Sequence, residues 1–470
     1  MVVMAVAVGL AVGAVLAYLA LTTPLRRYPL GVAAGDHGEA VLVTRFSDYA
    51  DSRAFVDLVG PDGPRWSVDV TPVFGHDIDG NTSAALAGDQ VIVIGVDRMD
   101  VQWVGALARA DGAVRWWTAL GGEGGRAGGG RIGPSLLVDD TFVYVIHELR
   151  DPEAPPRTEE DVEKKRPEPW SERVDAVSLS DGKLAWSYPP LGKSSKGALD
   201  ARFVGSALWV THADRSGAHA IDRTNGQVTR TLPLDQVLCA SPRGFVAIVH
   251  GQAQWVPLAG APVPLQLGDV RLGFSSTCGF RGDDVVLTFL RASSWSVARV
   301  VLASGQVAWE QVIGPSPIVS DPVVVGATFP RMVPIGLCSA SPYPGWCEAI
   351  VVDVDGGAIT TRKRTPRVDA RVVPLLTSER AFLWLPEREL LVDIDDHGRP
   401  AGSRRFGGIG VRDLASDDVH DGELWLAGHQ AAHPGRVPWI AYDLERGAVV
   451  HQQGDVDIED GAEVVGEMLR

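Results

Sequence analysis

Positive charge is scarce in this chain of 470 residues: 43 Lys plus Arg stand against 59 Asp plus Glu, a formal charge of −16. Nucleic-acid binding needs a basic footprint, so the balance argues against it. Cysteine is scarcer still, four in all, with none before Cys239. A lipid-attachment cysteine behind the N-terminal apolar run is thereby excluded. Neither G-x-S-x-G nor H-E-x-x-H occurs, which removes the serine-hydrolase elbow and the helical zinc-protease motif. No stretch after residue 30 keeps a helical period. What the chain does have, 45% hydrophobic and 22% charged residues with 53 Gly and 31 Pro, fits a globular protein of many short strands joined by turns.

Val2 to Leu21 are twenty consecutive uncharged, mostly apolar residues, and the first charge is Arg26. At about 1.5 Å per residue such a helix crosses the roughly 30 Å hydrocarbon core, so residues 1–25 read as an N-terminal transmembrane anchor. A cleaved secretory signal fits less well: no Lys or Arg precedes the run, and no A-x-A motif closes it. Arg26 and Arg27 behind the span favour a cytoplasmic domain by the positive-inside rule. The cysteines point the other way. Cys338 and Cys347 bracket a Pro-rich loop, CSASPYPGWC, that a disulfide would close. Cys239 and Cys278 are a second candidate pair, each preceding a strand at a similar place in successive repeats; the alternative is four buried free thiols. The expectation is a membrane-anchored, extracytoplasmic domain in a bacterial periplasm or cell envelope.

Length alone suggests about three domains, but an internal repeat overrules that prior. A short apolar strand, a Gly turn and a second strand recur, as in GALARADGAVRWW (105–117), DAVSLSDGKLAWSY (175–188) and ARVVLASGQVAWE (298–310). The turn glycines are Gly63, Gly112, Gly182, Gly226, Gly260, Gly305, Gly356, Gly398 and Gly447. Asp-Gly and Asn-Gly supply the positive φ of tight hairpin turns. Ahead of most hairpins lies another strand, such as QVIVIGV (90–96) or ALWVTH (207–212). A strand set every 40 to 50 residues predicts an all-β propeller of four-stranded blades over 29–454. Nine hairpins are present, but propellers usually have about 4 to 8 blades, so eight blades is the expectation and nine the alternative, the unit at Gly260 being the most suspect. The segment 150–173 reads as a charged loop inserted within one blade. The acidic tail 455–470 is either a closing strand or loose.

The hairpins resemble the repeat of the pyrroloquinoline-quinone-type propellers, A-x-D-x-x-[DNT]-G-x-x-x-W. Gly112 with Trp116, Gly182 with Trp186 and Gly305 with Trp309 keep its spacing; Gly63 with Trp66 is one residue short. The resemblance implies that these tryptophans pack flat between neighbouring blades and lock them. It also raises a quinone-dependent oxidoreductase. Such enzymes commonly carry two adjacent cysteines against the cofactor, and no cysteines are adjacent here. No cofactor is therefore expected, pyrroloquinoline quinone and calcium included.

Other motifs carry little chemistry. His147, His212, His250 and His429 stand at similar places near second strands, where they diverge rather than converge on a metal. HDIDGN (76–81), DVDGG (353–357) and DIDDHG (393–398) lack the spacing of a calcium loop. LGKSSKG (191–197) and GGEGGRAGGG (121–130) lack the strand-turn-helix context of a phosphate loop. One feature opposes the acidic background: Arg362, Lys363, Arg364, Arg367 and Arg371 lie within eleven residues, TRKRTPRVDAR (361–371). They are expected on an outermost blade strand, as edge protection or as a partner-binding patch. The leading expectation is a non-catalytic scaffold binding a protein or envelope polymer, similar in fold to the BamB-like scaffolds. The rival is a quinone-dependent oxidoreductase or small-ligand sensor using the central channel.

Overall fold

The computed structural model describes residues 26–460 apart from 35–38, 48–51, 61–62, 75–82, 97–101, 121–134, 151–169, 190–198, 213–216, 271–277, 316–328, 339–346, 366–371, 378, 386–387, 408–416, 421–422, 428–438 and 454–456. The expected anchor, residues 1–25, lies outside the described residues. Among those described, no helix is long and apolar enough to cross a membrane.

Nine antiparallel sheets follow one another along the chain, over 26–69, 83–120, 135–188, 199–232, 236–264, 278–315, 332–365, 373–407 and 417–453. The strands of each sheet lie in sequence order. In the second sheet they are Ser83–Ala87, Gln90–Val96, Gln102–Ala108 and Val114–Leu120. The seventh has three strands among the described residues. The described residues thus hold nine sheets, one per hairpin of the sequence. The suspect unit at Gly260 is a complete four-stranded sheet; its close spacing reflects short connections.

Neighbouring sheets approach through their first strands, as Arg26–Ala34 does with Ser83–Ala87, and Ser83–Ala87 with Ser135–Val138. The first sheet also touches the ninth, Arg26–Ala34 against Asp417–His420 and Gly63–Asp69 against Ala448–Gln453. Sheets that meet in sequence and return to the start form a ring of blades, with the first strands innermost.

Second and third strands alternate little because both their faces are covered by neighbouring blades. Val91, Ile92, Val93 and Ile94 are all fully buried. The core consists of seams between blades. Ile92, Val104 and Trp116 of blade 2 cluster with Val143, Val145 and Val177 of blade 3. Val286, Trp295 and Val297 of blade 6 cluster with Val333, Ile335 and Ile350 of blade 7.

Candidate functional site: seams, turn face and loop face

The third strand of most blades loses register with the fourth just before the hairpin turn. Ala106 faces Trp116 but Leu107 faces Val114, leaving Arg115 as an extra residue. The same bulge leaves Arg65 before Trp66, Ala185 before Trp186 and Ala308 before Trp309. A bulge twists the strand and re-aims the next side chain. Each of these tryptophans consequently lies over the hairpin glycine of the following blade: Trp66 on Gly112, Trp116 on Gly182, Trp186 on Gly226 and Trp309 on Gly357. Each indole Nε1 donates to the carbonyl three residues before that glycine, of Arg109, Leu179, Arg223 and Val354, at 2.7–2.9 Å. Glycine is required here twice over. Gly112, Gly182, Gly226 and Gly357 have φ of +70 to +76°, and a Cβ on any of them would meet the indole or its neighbours within 3 Å. In blade 7 the turn glycine is therefore Gly357 and not Gly356, whose φ is not positive.

Antiparallel strands in sequence order place all first-to-second and third-to-fourth turns on one face of the ring. That face is stitched by arginines which sequence reading did not single out. Between blades 1 and 2, buried Glu39 pairs with both Arg65 and Arg109, and Arg109 also reaches the Gly88 carbonyl. Between blades 3 and 4, Arg223 pairs with Asp139 at 2.8 Å and lies over the Phe203 ring. Burial raises the Asp139 carboxyl, but hydrogen bonds from Tyr144 and the Phe142 and Thr141 amides, with the Arg223 charge, outweigh it and hold the group below its ordinary value. Between blades 6 and 7, Arg299 joins Asp284 to Asp355, and Arg281 also reaches Asp355. Between blades 8 and 9, Arg380 donates to the Leu444 and Glu445 carbonyls and pairs with Asp393. Burial raises the Asp393 carboxyl despite the opposing Arg380 charge. The only sequence signal was an arginine three residues before the turn glycine in blades 2 and 4, Arg109 and Arg223.

The opposite face carries the second-to-third and fourth-to-first connections, which include the charged insert between Phe142–Arg150 and Trp170–Ser178. Residues 151–169 of that insert are outside the described residues. Cys347 is disulfide-bonded and stands opposite Cys338 in register, at the base of the second-to-third connection of blade 7. Cys239 and Cys278 form a disulfide that joins the innermost strands of blades 5 and 6. Among the described residues no cysteine is free. Arg362, Lys363 and Arg364 lie on Ile359–Thr365, the outermost strand of blade 7. Arg362 donates to the Ile313 carbonyl of blade 6 and stands 3.9 Å from Glu348. Arg367 and Arg371 lie outside the described residues.

The Asp-Gly motifs serve their own turns. Asp353 Oδ1 accepts from the Asp355 and Gly356 amides, and its other oxygen pairs with Arg331. Asp395 Oδ1 accepts from the His397 and Arg399 amides. His147 and His212 lie on second strands of blades 3 and 4, and His250 follows that of blade 5. His429 and the segments 76–81, 121–130 and 191–197 are outside the described residues. Among the described residues no group of three or more His, Cys, Asp or Glu is placed to hold a metal ion.

Neither a protein-family model nor a curated protein sequence matches the chain. Solved structures do. BamB from Moraxella catarrhalis is 15% identical with a TM-score of 0.33, covering 76% of this chain and 82% of that one. A quinohemoprotein alcohol dehydrogenase from Comamonas testosteroni is 11% identical with a TM-score of 0.33, covering 81% and 75%. Apo AztD from Citrobacter koseri is 11% identical with a TM-score of 0.31, covering 86% and 95%. Likeness at this level extends to fold alone. What the chain itself shows is an all-β succession of antiparallel sheets with tryptophan-packed seams, the architecture of a β-propeller.

Proposed function

We propose that the chain is a membrane-anchored, non-catalytic propeller of nine blades that binds a protein partner or envelope polymer outside the cytoplasm. The observation that carries the binding role is the outermost strand of blade 7. In a chain of charge −16, three consecutive basic residues, Arg362, Lys363 and Arg364, occupy a strand that pairs on one side only among the described residues. Arg367 and Arg371 follow in sequence. Such a strand attracts an acidic partner electrostatically while resisting edge-to-edge aggregation. Disulfides supported at Cys239–Cys278 and Cys347 favour an oxidising compartment. The apolar run Val2 to Leu21 supplies the anchor.

The test is cross-linking of the full chain in its native membrane, with and without Arg362→Glu, Lys363→Glu and Arg364→Glu together. Loss of a reproducible cross-linked neighbour, with an unchanged urea midpoint, is the expected result. Unchanged capture reduces the patch to edge protection. The absorption spectrum and bound small molecules of the purified chain separate the rival. A stoichiometric quinone with calcium makes it an oxidoreductase.

A further inference from the structure

The outermost strand of blade 8, Pro400–Gly407, differs from its counterparts in the other blades. A fifth strand, Asp457–Asp460, runs antiparallel along it. This segment belongs to the tail and returns from blade 9, whose last strand ends at Gln453. The register sets Asp460 opposite Arg404, Glu459 opposite Arg405, Ile458 opposite Phe406 and Asp457 opposite Gly407. Two adjacent arginines are thus in register with two adjacent acids, and Phe406 with Ile458.

The neighbouring seam explains why an added strand is useful there. After its bulge, where four blades place a tryptophan, blade 8 has Gly402. A Cβ built on Gly402 meets nothing within 4 Å. Phe406, fully buried, supplies the apolar filling lower on the same strand, edge-on to Trp384 at 5.9 Å and to Tyr442 of blade 9 at 5.2 Å. Ile458 packs on that same cluster. The tail strand therefore adds three things at once: ladder hydrogen bonds, one aliphatic side chain and acids in register with arginines. Among the described residues it pairs with Arg404–Gly407 of this eight-residue strand.

We propose that the outer edge of blade 8 is an acceptor for an extended acidic strand of a partner protein, with an aliphatic residue seated opposite Phe406. In the free chain residues 457–460 occupy it in cis. Strand addition of this kind takes its affinity from main-chain hydrogen bonds and its specificity from alternate side chains. The cis tail competes at a high effective concentration, so a partner binds when the tail is loosened. This site is separate from blade 7 and stands whether or not that patch binds.

The probe is a fluorescent peptide with the sequence of residues 455–464, titrated into the full chain and into its Ile458→Pro variant. Proline removes a ladder donor and the apolar contact, freeing the edge. Binding to the variant at least about tenfold tighter than to the parent is expected, weakening with salt and abolished by adding Arg404→Glu and Arg405→Glu. Hydrogen exchange at 404–407 should rise in the variant and fall again with peptide. Equal binding to parent and variant, or no binding to a folded variant, overturns the proposal. If Ile458→Pro does not fold, Asp457→Asn, Glu459→Gln and Asp460→Asn together loosen the tail by charge alone, with about threefold tighter peptide binding expected. Concentration-dependent dimers of the parent that vanish on changing Ile458 overturn the partner reading in favour of tail exchange between copies.

Discussion

The seam between blades 2 and 3 offers a measurement in which the two halves of one contact are removed separately. Trp116 is 9% exposed, lies over Gly182 and donates to the Leu179 carbonyl at 2.9 Å. Trp116→Ala should cost about 3–5 kcal/mol, the range for emptying a large buried aromatic site. The Leu179 carbonyl is not orphaned by this change, since Gln90 Nε2 also donates to it at 3.1 Å. Gly182→Ala carries two separable costs. Its φ of +70° charges any L-residue about 1–2 kcal/mol. Its new methyl would stand 2.6 Å from indole carbons of Trp116, and relieving that overlap adds about 1–3 kcal/mol. In the Trp116→Ala background the overlap disappears and only the backbone cost remains. Urea unfolding of the four proteins, followed by far-ultraviolet circular dichroism, should therefore give the double variant about 1–3 kcal/mol more stability than additivity predicts. Additivity within about 0.5 kcal/mol, the usual result for independent sites, would refute the claim that the glycine is fixed by the tryptophan.

Further expectations concern charge and covalent ties. Asp139 has its pKa held down in the folded state, so its stabilisation is present above the unfolded value of about 3.9 and is lost as pH falls through the lower folded value. The gap in urea midpoint between the parent and Asp139→Asn should thus be full at neutral pH and shrink below about pH 4; a gap independent of pH contradicts this. Asp393 has its pKa raised by burial against the Arg380 charge, so Arg380→Gln should raise it further. The deficit of that variant should be greatest at neutral pH and ease as pH falls through the raised value toward about 3.9. A deficit that grows on acidification would show that Asp393 is not the group involved. The Cys239–Cys278 bridge closes a separation of 39 residues, worth about 4 kcal/mol by loop entropy. Serine at both positions should lower the urea midpoint to a matching extent, and an unchanged midpoint would mean the thiols are not joined in the purified protein.

The repeat was legible because its residues answer local demands. A positive φ at a two-strand turn selects Gly, the preceding Asp caps the turn amides, and a bulge aims a tryptophan. All of this lies within about a dozen residues of sequence. Counting was harder, because the spacing between turn glycines measures connection length. The spacing to Gly182 is stretched by the insert between two strands of blade 3, whereas blade 5 is complete despite its short connections. The first strand SAALA of blade 2 and the two-residue fourth strand Val263–Pro264 of blade 5 carry almost no pattern of their own. The arginine ties were invisible for a different reason. Arg380 reaches the Leu444 carbonyl across 64 residues, and Arg299 reaches Asp355 across 56; only the ring closes those distances. Gly356 and Gly357 are adjacent, and composition gives no reason to prefer the second. The tryptophan overhead in the folded chain does.

The seams that lack a tryptophan are tied by other chemistry, and the pattern explains where the covalent and added elements fall. After the bulge in blade 4 stands Arg230, which donates to the Leu258 carbonyl of blade 5. Blade 7 has Thr361, whose hydroxyl donates to the Gly398 carbonyl of blade 8. Blade 5 has Pro264, which offers no side-chain donor, and this seam carries the Cys239–Cys278 disulfide together with the Arg243–Asp283 pair. Blade 8 has Gly402, and its seam carries Phe406, Arg380 and the returning tail strand. In a ring every seam bears on closure, because opening any one of them frees the sheets on both sides. A weak position in the repeat is therefore not a lost repeat. It is where a different residue type, a disulfide or a fifth strand has to supply what the indole supplies elsewhere.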